Sequence, residues 1–484
     1  MPRPSGVDAV VVGAGPNGLS AAVALARAGM SVRVYAAEQD AGGGARSAEL
    51  TLPGFVHDVC SAVHPLGVGS PAFRAMPLEQ HGLSWVEPPL ALAHPFDDRP
   101  AAVLTRSIDE TAASLEPDAS RYRFLVSRFH GKWDDLSRDA LRPVTASFPE
   151  HPLMLAAFGV RGALPARVVA AAMRGEAAPA FLAGLAAHAI APLTSLATAG
   201  VALLFALAGH EVGWPFARGG SQAITTALSG YLRWLGGEVE TGRRITSLSE
   251  VGEARAYLLD LAPWNVGDVT GERLPADYVA RLQRCPHGPG VFKIDYALSG
   301  PVPWRDERCR QAGTVHIGPS LADISRALAA ATHGRAPQRP FLITAQQSLF
   351  DSTRAPDGKH TFWAYGHVPN GWTGDLTDAV ERQIERFAPG FKDLVIARAV
   401  SGPAEIEARN ANDVGGDIAC GTFSGYRAFL RPLITAVPYA TPNPSIYLCS
   451  SATPPGPGVH GMCGYHAART VLRRVFGKST AALL

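Results

Sequence analysis

The sequence is poor in the residues that build cross-links, metal sites and electrostatic docking faces. Its six cysteines, Cys60, Cys285, Cys309, Cys420, Cys449 and Cys463, lie far apart. They form no C-x-x-C pair and no Cys/His spacing suited to zinc, so neither a disulfide framework nor a metal site is expected. A reducing, cytoplasmic compartment is the expectation. The formal net charge is only +2, and arginine is scattered rather than clustered, which argues against nucleic acid or an acidic surface as a partner. That leaves a neutral small molecule.

No basic segment, apolar stretch and cleavage site precede the first strand-like run, so export is not expected. A long Ala- and Leu-rich stretch free of Asp, Glu, Lys and Arg runs from Ala177 to His210, but His188, Pro192, Thr194, Ser195 and Thr198 interrupt it. Two buried helices joined near Pro192 account for it better than a membrane span. A peripheral membrane contact, used to collect an apolar substrate, is the milder alternative. Nothing in the pattern fixes an oligomeric state.

What the sequence does have is length and apolar content: 484 residues, 47% hydrophobic. That is enough for two or three structural domains. Near the N-terminus the apolar run Val7 to Val12 ends in Gly13-Ala14-Gly15-Pro16-Asn17-Gly18. The Ala-rich stretch Leu19 to Ala28 favours helix, Gly29 stops it, and Ser31 to Tyr35 alternates like a second strand. A G-x-G-x-x-G turn in a complete β-α-β context is a dinucleotide fingerprint. Gly13 permits the tight turn, Gly15 lets backbone approach a pyrophosphate, and Gly18 lets helix and strand pack closely. Pro16 and Asn17 open the helix, whose free N–H groups face the phosphates. A carboxylate normally ends the second strand to hold the ribose. Ala36 stands there instead, and Glu38, two residues on, is the expected substitute. The next turn, Gly42-Gly43-Gly44-Ala45-Arg46-Ser47, argues for FAD over NAD. Gly43, Gly44 and Ala45 let backbone near the pyrophosphate, and Arg46 offers charge-assisted hydrogen bonds.

Further along, residues 71–211 read as helices broken by Pro and Gly. Gln222 to Leu235 reads as a helix and Glu238 to Glu240 as a strand. Strands are also expected at Ile245 to Leu248, Tyr257 to Leu261, within 290–299 and 341–350, at His360 to Val368 and at Ser445 to Cys449. Ile245 is counted among the candidate cofactor contacts. The chain should end in a helix from Tyr465 to Val475.

The run Gly42 to Pro65, GGGARSAELTLPGFVHDVCSAVHP, resembles the matching stretch of phytoene desaturase and carotenoid isomerase-like FAD-dependent oxidoreductases. Among these it is similar to bacterial relatives of pyridine nucleotide-disulfide oxidoreductase domain-containing protein 2. Three later segments agree in order: WPFARGGSQAI (Trp214 to Ile224), SLFDSTRAPDGKH (Ser348 to His360) and YLCSSATPPGPGVHGMCGYHAA (Tyr447 to Ala468). The resemblance implies an α/β fold. A Rossmann-like FAD-binding domain of the amine oxidase/phytoene desaturase type would comprise 1–70, 215–265 and 436–484. A discontinuous substrate domain of mixed sheet and helical cap would comprise 71–214 and 266–435. It also implies that Pro455, Gly456, Gly458 and Val459 lie beside the isoalloxazine, with the following helix aimed at the flavin's O2 edge. Pro457 stands where relatives usually have Gly.

For catalysis, the resemblance places His64 near the flavin. Lys293 is noticeable because the chain has only five lysines and this one lies in an apolar strand. In amine-oxidising relatives a Lys near flavin N5 holds a water, and Lys293 is the candidate for that part. Trp214, Trp363, Tyr365, Tyr426, His316 and His367 are read as packing residues. Three functions stay open: dehydrogenation or desaturation of an apolar small molecule by hydride transfer, redox-neutral isomerisation or cyclisation on reduced flavin, and a non-catalytic scaffold.

Overall fold

A computed structural model describes residues 6–145 and 148–480. The outermost residues of the two terminal segments, 1–5 and 481–484, lie outside the described residues. The first apolar run folds as strand β1 (Ala9–Val12), with all four side chains buried. Helix α1 (Pro16–Arg27) follows, with Pro in its first turn, where a missing N–H costs nothing. Its small residues let neighbours come close: a Cβ on Gly464 of the C-terminal helix would meet the Asn17 carbonyl at 1.8 Å. Strand β2 (Val32–Tyr35) completes the β-α-β unit in parallel register with β1.

Two large sheets organise the chain. The first is five-stranded and parallel, in the order Ile446–Leu448, Ala256–Leu259, β1, β2, Glu238–Glu240. Its central strands β1, Ala256–Leu259 and Ile446–Leu448 are continuous, buried, nearly apolar runs, as expected of parallel strands covered on both faces. The second has seven strands, in the order Val395–Ser401, Gly290–Leu298, His360–Val368, Leu342–Ala345, Ala312–Ile317, Leu90–His94, Ala102–Leu104. It is mixed, since Ala312–Ile317 pairs parallel with Leu90–His94 while the other pairs are antiparallel. All nine residues of Gly290–Leu298 are buried. Phe292, Ile294, Tyr296 and Leu298 enter one apolar core, and strand alternation sends Lys293 and Asp295 to the other face.

The cap over the mixed sheet contains Ala177–Ala186, buried along its whole length, and Thr198–Glu211; they are joined through Pro192, as expected. Among the described residues no helix is long and apolar enough to cross a membrane. Three expectations need correction. The segment Ile245 to Leu248 is not a strand: Glu250 accepts from the backbone N–H of Ser247 and the hydroxyl of Thr246, and this capping box starts a short 3-10 turn at Leu248. Of residues 341–350 only Leu342–Ala345 is strand, with a 3-10 turn at Gln347–Leu349. The stretch read as helical throughout, 71–211, contributes Leu90–His94 and Ala102–Leu104 to the mixed sheet.

Candidate functional site

The carboxyl ends of β1, β2, Ala256–Leu259 and Ile446–Leu448 converge on one cavity, reached there by Gly13, Ala36, Asp260 and Ser450. Open α/β sheets bind their ligands at this edge. The cavity measures about 970 Å³ and extends to the mixed sheet and the cap, at the top of the range for small-molecule sites. Gly13, Gly15, Pro16 and Asn17 line it from the first glycine turn, and Gly43, Gly44, Ala45 and Arg46 from the second. The two turns touch: a Cβ on Gly43 would lie 3.2 Å from the Gly15 Cα. Gly13 and Gly43 have φ of +107° and +53°, a region that favours glycine.

The N-cap residue of α1, Gly15, has no side chain to cap the helix, and Asn17 lies buried on the cavity wall. The backbone N–H groups of the first helical turn beside a side-chain-free glycine turn fit the pyrophosphate of a dinucleotide. Gly18 stands behind the turn, where a Cβ would meet the Gly13 carbonyl at 2.1 Å. Its N–H donates to Asp260 Oδ2 at 3.0 Å. Burial pushes the Asp260 carboxyl up to about 7, against the backbone N–H groups of Gly18 and Gly15 that favour its ionised form. Sequence reasoning missed Asp260. The available signal was an acid ending the apolar strand Tyr257-Leu258-Leu259.

Ala36 and Glu38 both line the cavity. The Glu38 carboxylate is paired with Arg46 at 3.3 Å and Arg244 at 3.7 Å. Arg46 also braces its own turn through the Gly43 carbonyl at 3.1 Å, and donates to the Arg409 carbonyl. Ile245 is a buried wall residue, in a loop rather than a strand. At the C-terminal side Pro455, Pro457, Gly458 and Val459 line the cavity. Gly456 lies behind them, its carbonyl accepting from Cys463 Sγ at 3.3 Å. The helix that follows begins at Met462, and its first N–H donates to His460 Nδ1 at 3.1 Å. The imidazole of His460, lowered to about 4 by burial and so neutral, caps this helix end.

His64 lies on the cavity wall with Nε2 2.8 Å from Ser221 Oγ, and Nδ1 without a partner. Burial lowers its pKa to about 4, with Arg354 adding to and Asp58 opposing the effect, so it is neutral at neutral pH. Lys293 is not on the wall. Its ammonium donates to both oxygens of Asp295 and to the Asp58 carbonyl at 3.0 Å. The geometry thus corrects the expected place beside a flavin: Lys293 belongs to a buried polar network behind the cavity. In that network Asp58 accepts from Ser47 Oγ at 2.8 Å and Ser221 N at 2.7 Å, and pairs with Arg354. Burial works to raise the Asp58 carboxyl, but Arg354 and these hydrogen bonds hold it below the usual range. Three of the segments that carry the resemblance, around Ser47, Ser221 and Arg354, therefore meet at one carboxylate.

Of the aromatic residues considered, Trp214, Trp363 and Tyr365 line the cavity, while Tyr426 is exposed. Among the described residues no group of His, Cys, Asp and Glu has the geometry to hold a metal.

Residues 11–76 match the NAD(P)-binding Rossmann-like domain family. Across 96% of its length the chain is 26% identical to pyridine nucleotide-disulfide oxidoreductase domain-containing protein 2 of Mus musculus, 93% of which is covered. It is 25% identical to phytoene dehydrogenase of Streptomyces griseus, over 84% of this chain and 80% of that one. Among solved structures, wild-type putrescine oxidase bound to putrescine superposes with a TM-score of 0.59 at 16% identity, covering 98% of this chain and 99% of that one. The resemblance read from the motifs is thus borne out as homology to pyridine nucleotide-disulfide oxidoreductase domain-containing protein 2 and phytoene dehydrogenase, and the α/β, Rossmann-like fold as one shared with putrescine oxidase.

Proposed function

From this kinship with oxidoreductases we propose that the protein is an FAD-dependent enzyme that dehydrogenates or desaturates a largely apolar small molecule. The observation that carries the proposal is the contact of the two glycine turns across one large cavity whose far end is apolar and aromatic. Gly13 to Asn17 and Gly43 to Arg46 would hold the pyrophosphate. Glu38 and Ile245 would serve the adenosine side, and Pro455, Gly458 and Val459 the isoalloxazine, with Gly456 shaping their loop. When bound, FAD supplies a hydride acceptor at N5. The protein's own part is to bind and orient the substrate and to exclude water, through Trp214, Trp363 and Tyr365. His64 contributes a neutral imidazole held by Ser221. The segments 1–70, 215–265 and 436–484 form the cofactor domain in this proposal, and 71–214 with 266–435 the substrate domain.

A reducing, cytoplasmic setting suits the six cysteines, all of them free. We also propose a peripheral contact with a lipid surface at the cap, supported by exposed Leu153, Val160 and Phe148. The test of the main proposal is the visible spectrum of purified protein with and without added FAD. Uptake of FAD, no stabilisation by NAD alone, and bleaching by an apolar substrate without oxygen are expected. Failure to take up FAD at high concentration would overturn it.

A further inference from the structure

A second polar feature lies at the far end of the cavity, in the cap and the mixed sheet. His188, on the turn after Ala177–Ala186, lines the cavity, packs on Phe205 with ring centroids 4.8 Å apart, and meets Trp214 edge-on at 6.2 Å. Its Nε2 is 3.0 Å from Nε2 of His316, a fully buried residue of the Ala312–Ile317 strand. His94 on the adjacent strand packs against His316 and is fixed through Nε2 to the Gly318 carbonyl at 2.8 Å. His367 is also nearby and buried. The Nδ1 atoms of His94 and His316, and both ring nitrogens of His367, have no hydrogen-bond partner.

The helix Ala177–Ala186 makes room for this cluster. A Cβ on Gly184 would lie 2.6 Å from His316 Nδ1 and 3.2 Å from His94 Nδ1. Glycine inside a helix costs about 1 kcal/mol relative to alanine, so the space for two imidazoles is kept at the expense of helix stability. Burial, with a smaller contribution from His367, lowers His188 to about 3, and no carboxylate opposes them. This end of the cavity therefore carries no charge at neutral pH.

The hydrogen bond between two neutral imidazoles has a consequence for the ligand. If His316 donates from Nε2, the proton of His188 sits on Nδ1, which then donates into the cavity. If His188 donates instead, its Nδ1 becomes an acceptor. We propose that His188, held by His316, is the hydrogen-bonding anchor for a single oxygen function, hydroxyl or carbonyl, on an otherwise apolar and uncharged substrate. This rests on the function proposed above and adds the substrate class. His188 is a specificity-determining residue here: a hydroxyl meets the accepting tautomer and a carbonyl the donating one. An alkylammonium finds no counter-charge beside it.

The test is equilibrium binding by calorimetry on FAD-loaded protein, with octane, 1-octanol, 2-octanone and octylamine as probes. The alcohol and the ketone are expected to bind at least ten-fold tighter than the alkane and the amine. His188→Phe and His188→Leu, each checked for folding by its melting curve, should abolish that preference, and His188→Gln should keep a measurable part of it. Survival of the preference in either folded apolar variant, or tightest binding of octylamine, overturns the anchor. FAD content separates the two claims. A protein without FAD refutes the proposed function whatever octanol does, whereas an FAD-loaded His188→Phe that still prefers the alcohol refutes the anchor alone.

Discussion

Lys293 and Asp295 stand two apart on one strand, so alternation points both to the same face, where they meet as a buried ion pair. Removing one member leaves the other charge buried and uncompensated, which typically costs about 3–5 kcal/mol. Lys293→Met is therefore expected to lower the unfolding free energy by about that much in urea titrations. Lys293→Met combined with Asp295→Leu should recover most of the loss. A single variant as stable as wild type would show that the ammonium is free for another role. Asp260 gives a pH-dependent prediction. Its carboxyl is raised to about 7 by burial, against about 3.9 in an unfolded chain. Between these values the folded protein holds a proton that the unfolded chain releases. The stabilisation is therefore complete below the unfolded value and is lost as pH rises towards 7. Asp260→Asn should remove this slope, up to about 1.4 kcal/mol per pH unit, when urea midpoints at pH 4.5 and 6.5 are compared. Parallel pH profiles for the two proteins would sink the idea. In the sequence, scarcity singled out Lys293 and Asp295 stood two residues on as a possible ion-pair partner, but the face bordering the cavity was not legible. Period-2 alternation says which residues share a face without saying what that face meets.

The first glycine turn was legible because every part of it is local: an apolar run, three glycines at fixed spacing, and a helix-favouring stretch. The second turn depends on the first through a contact that no local pattern encodes. Gly43 combines a positive φ with backbone approach to Gly15, so Gly43→Ala should strain the turn and hold the two loops apart. FAD affinity measured by equilibrium dialysis is expected to fall at least ten-fold with the far-UV circular dichroism unchanged; unaltered affinity would detach this turn from the cofactor. The misread elements share a physical cause. Leu90–His94 and Ala102–Leu104 are short apolar runs, which periodicity cannot separate from buried helix, and Leu90–His94 finds a partner strand more than two hundred residues later. At Ile245 to Leu248 a capping box overrides the β-favouring Ile245-Thr246 pair. At the C-terminal helix, side-chain capping by His460 depends on ring orientation, which sequence does not carry.

At the scale of the whole molecule, the network around Asp58, Arg354 and Lys293 ties the mixed sheet to the segment after the second glycine turn and to Ser221 at the start of the Gln222–Trp234 helix, and the cap closes the far end of the cavity. The cap exposes more apolar surface than this packing requires. The helix Pro152–Gly162 has no charged residue before Arg161, yet Leu153 is 82% exposed and Val160 74%. A helix apolar on all sides is normally buried. This one turns Leu155, Phe158 and Gly159 to the cavity and leaves the opposite side bare. Arg161 stacks on exposed Phe124 at 5.1 Å, which extends the patch to a second helix. Arg128, Arg167 and Arg174 are exposed and, among the described residues, have no ion-pair partner. Exposed apolar side chains and free arginines in the same cap match an anionic lipid surface, where each basic residue contributes about 1 kcal/mol. An apolar substrate would then pass from the bilayer past one helix into the cavity. FAD-loaded protein is expected to sediment with vesicles containing phosphatidylglycerol and much less with phosphatidylcholine alone. Leu153→Asp with Val160→Asp should cut the bound fraction at least five-fold while leaving FAD content and melting temperature unchanged, since both side chains already face water. Undiminished sedimentation of that variant would mean that the exposed apolar face of the cap is not a lipid contact.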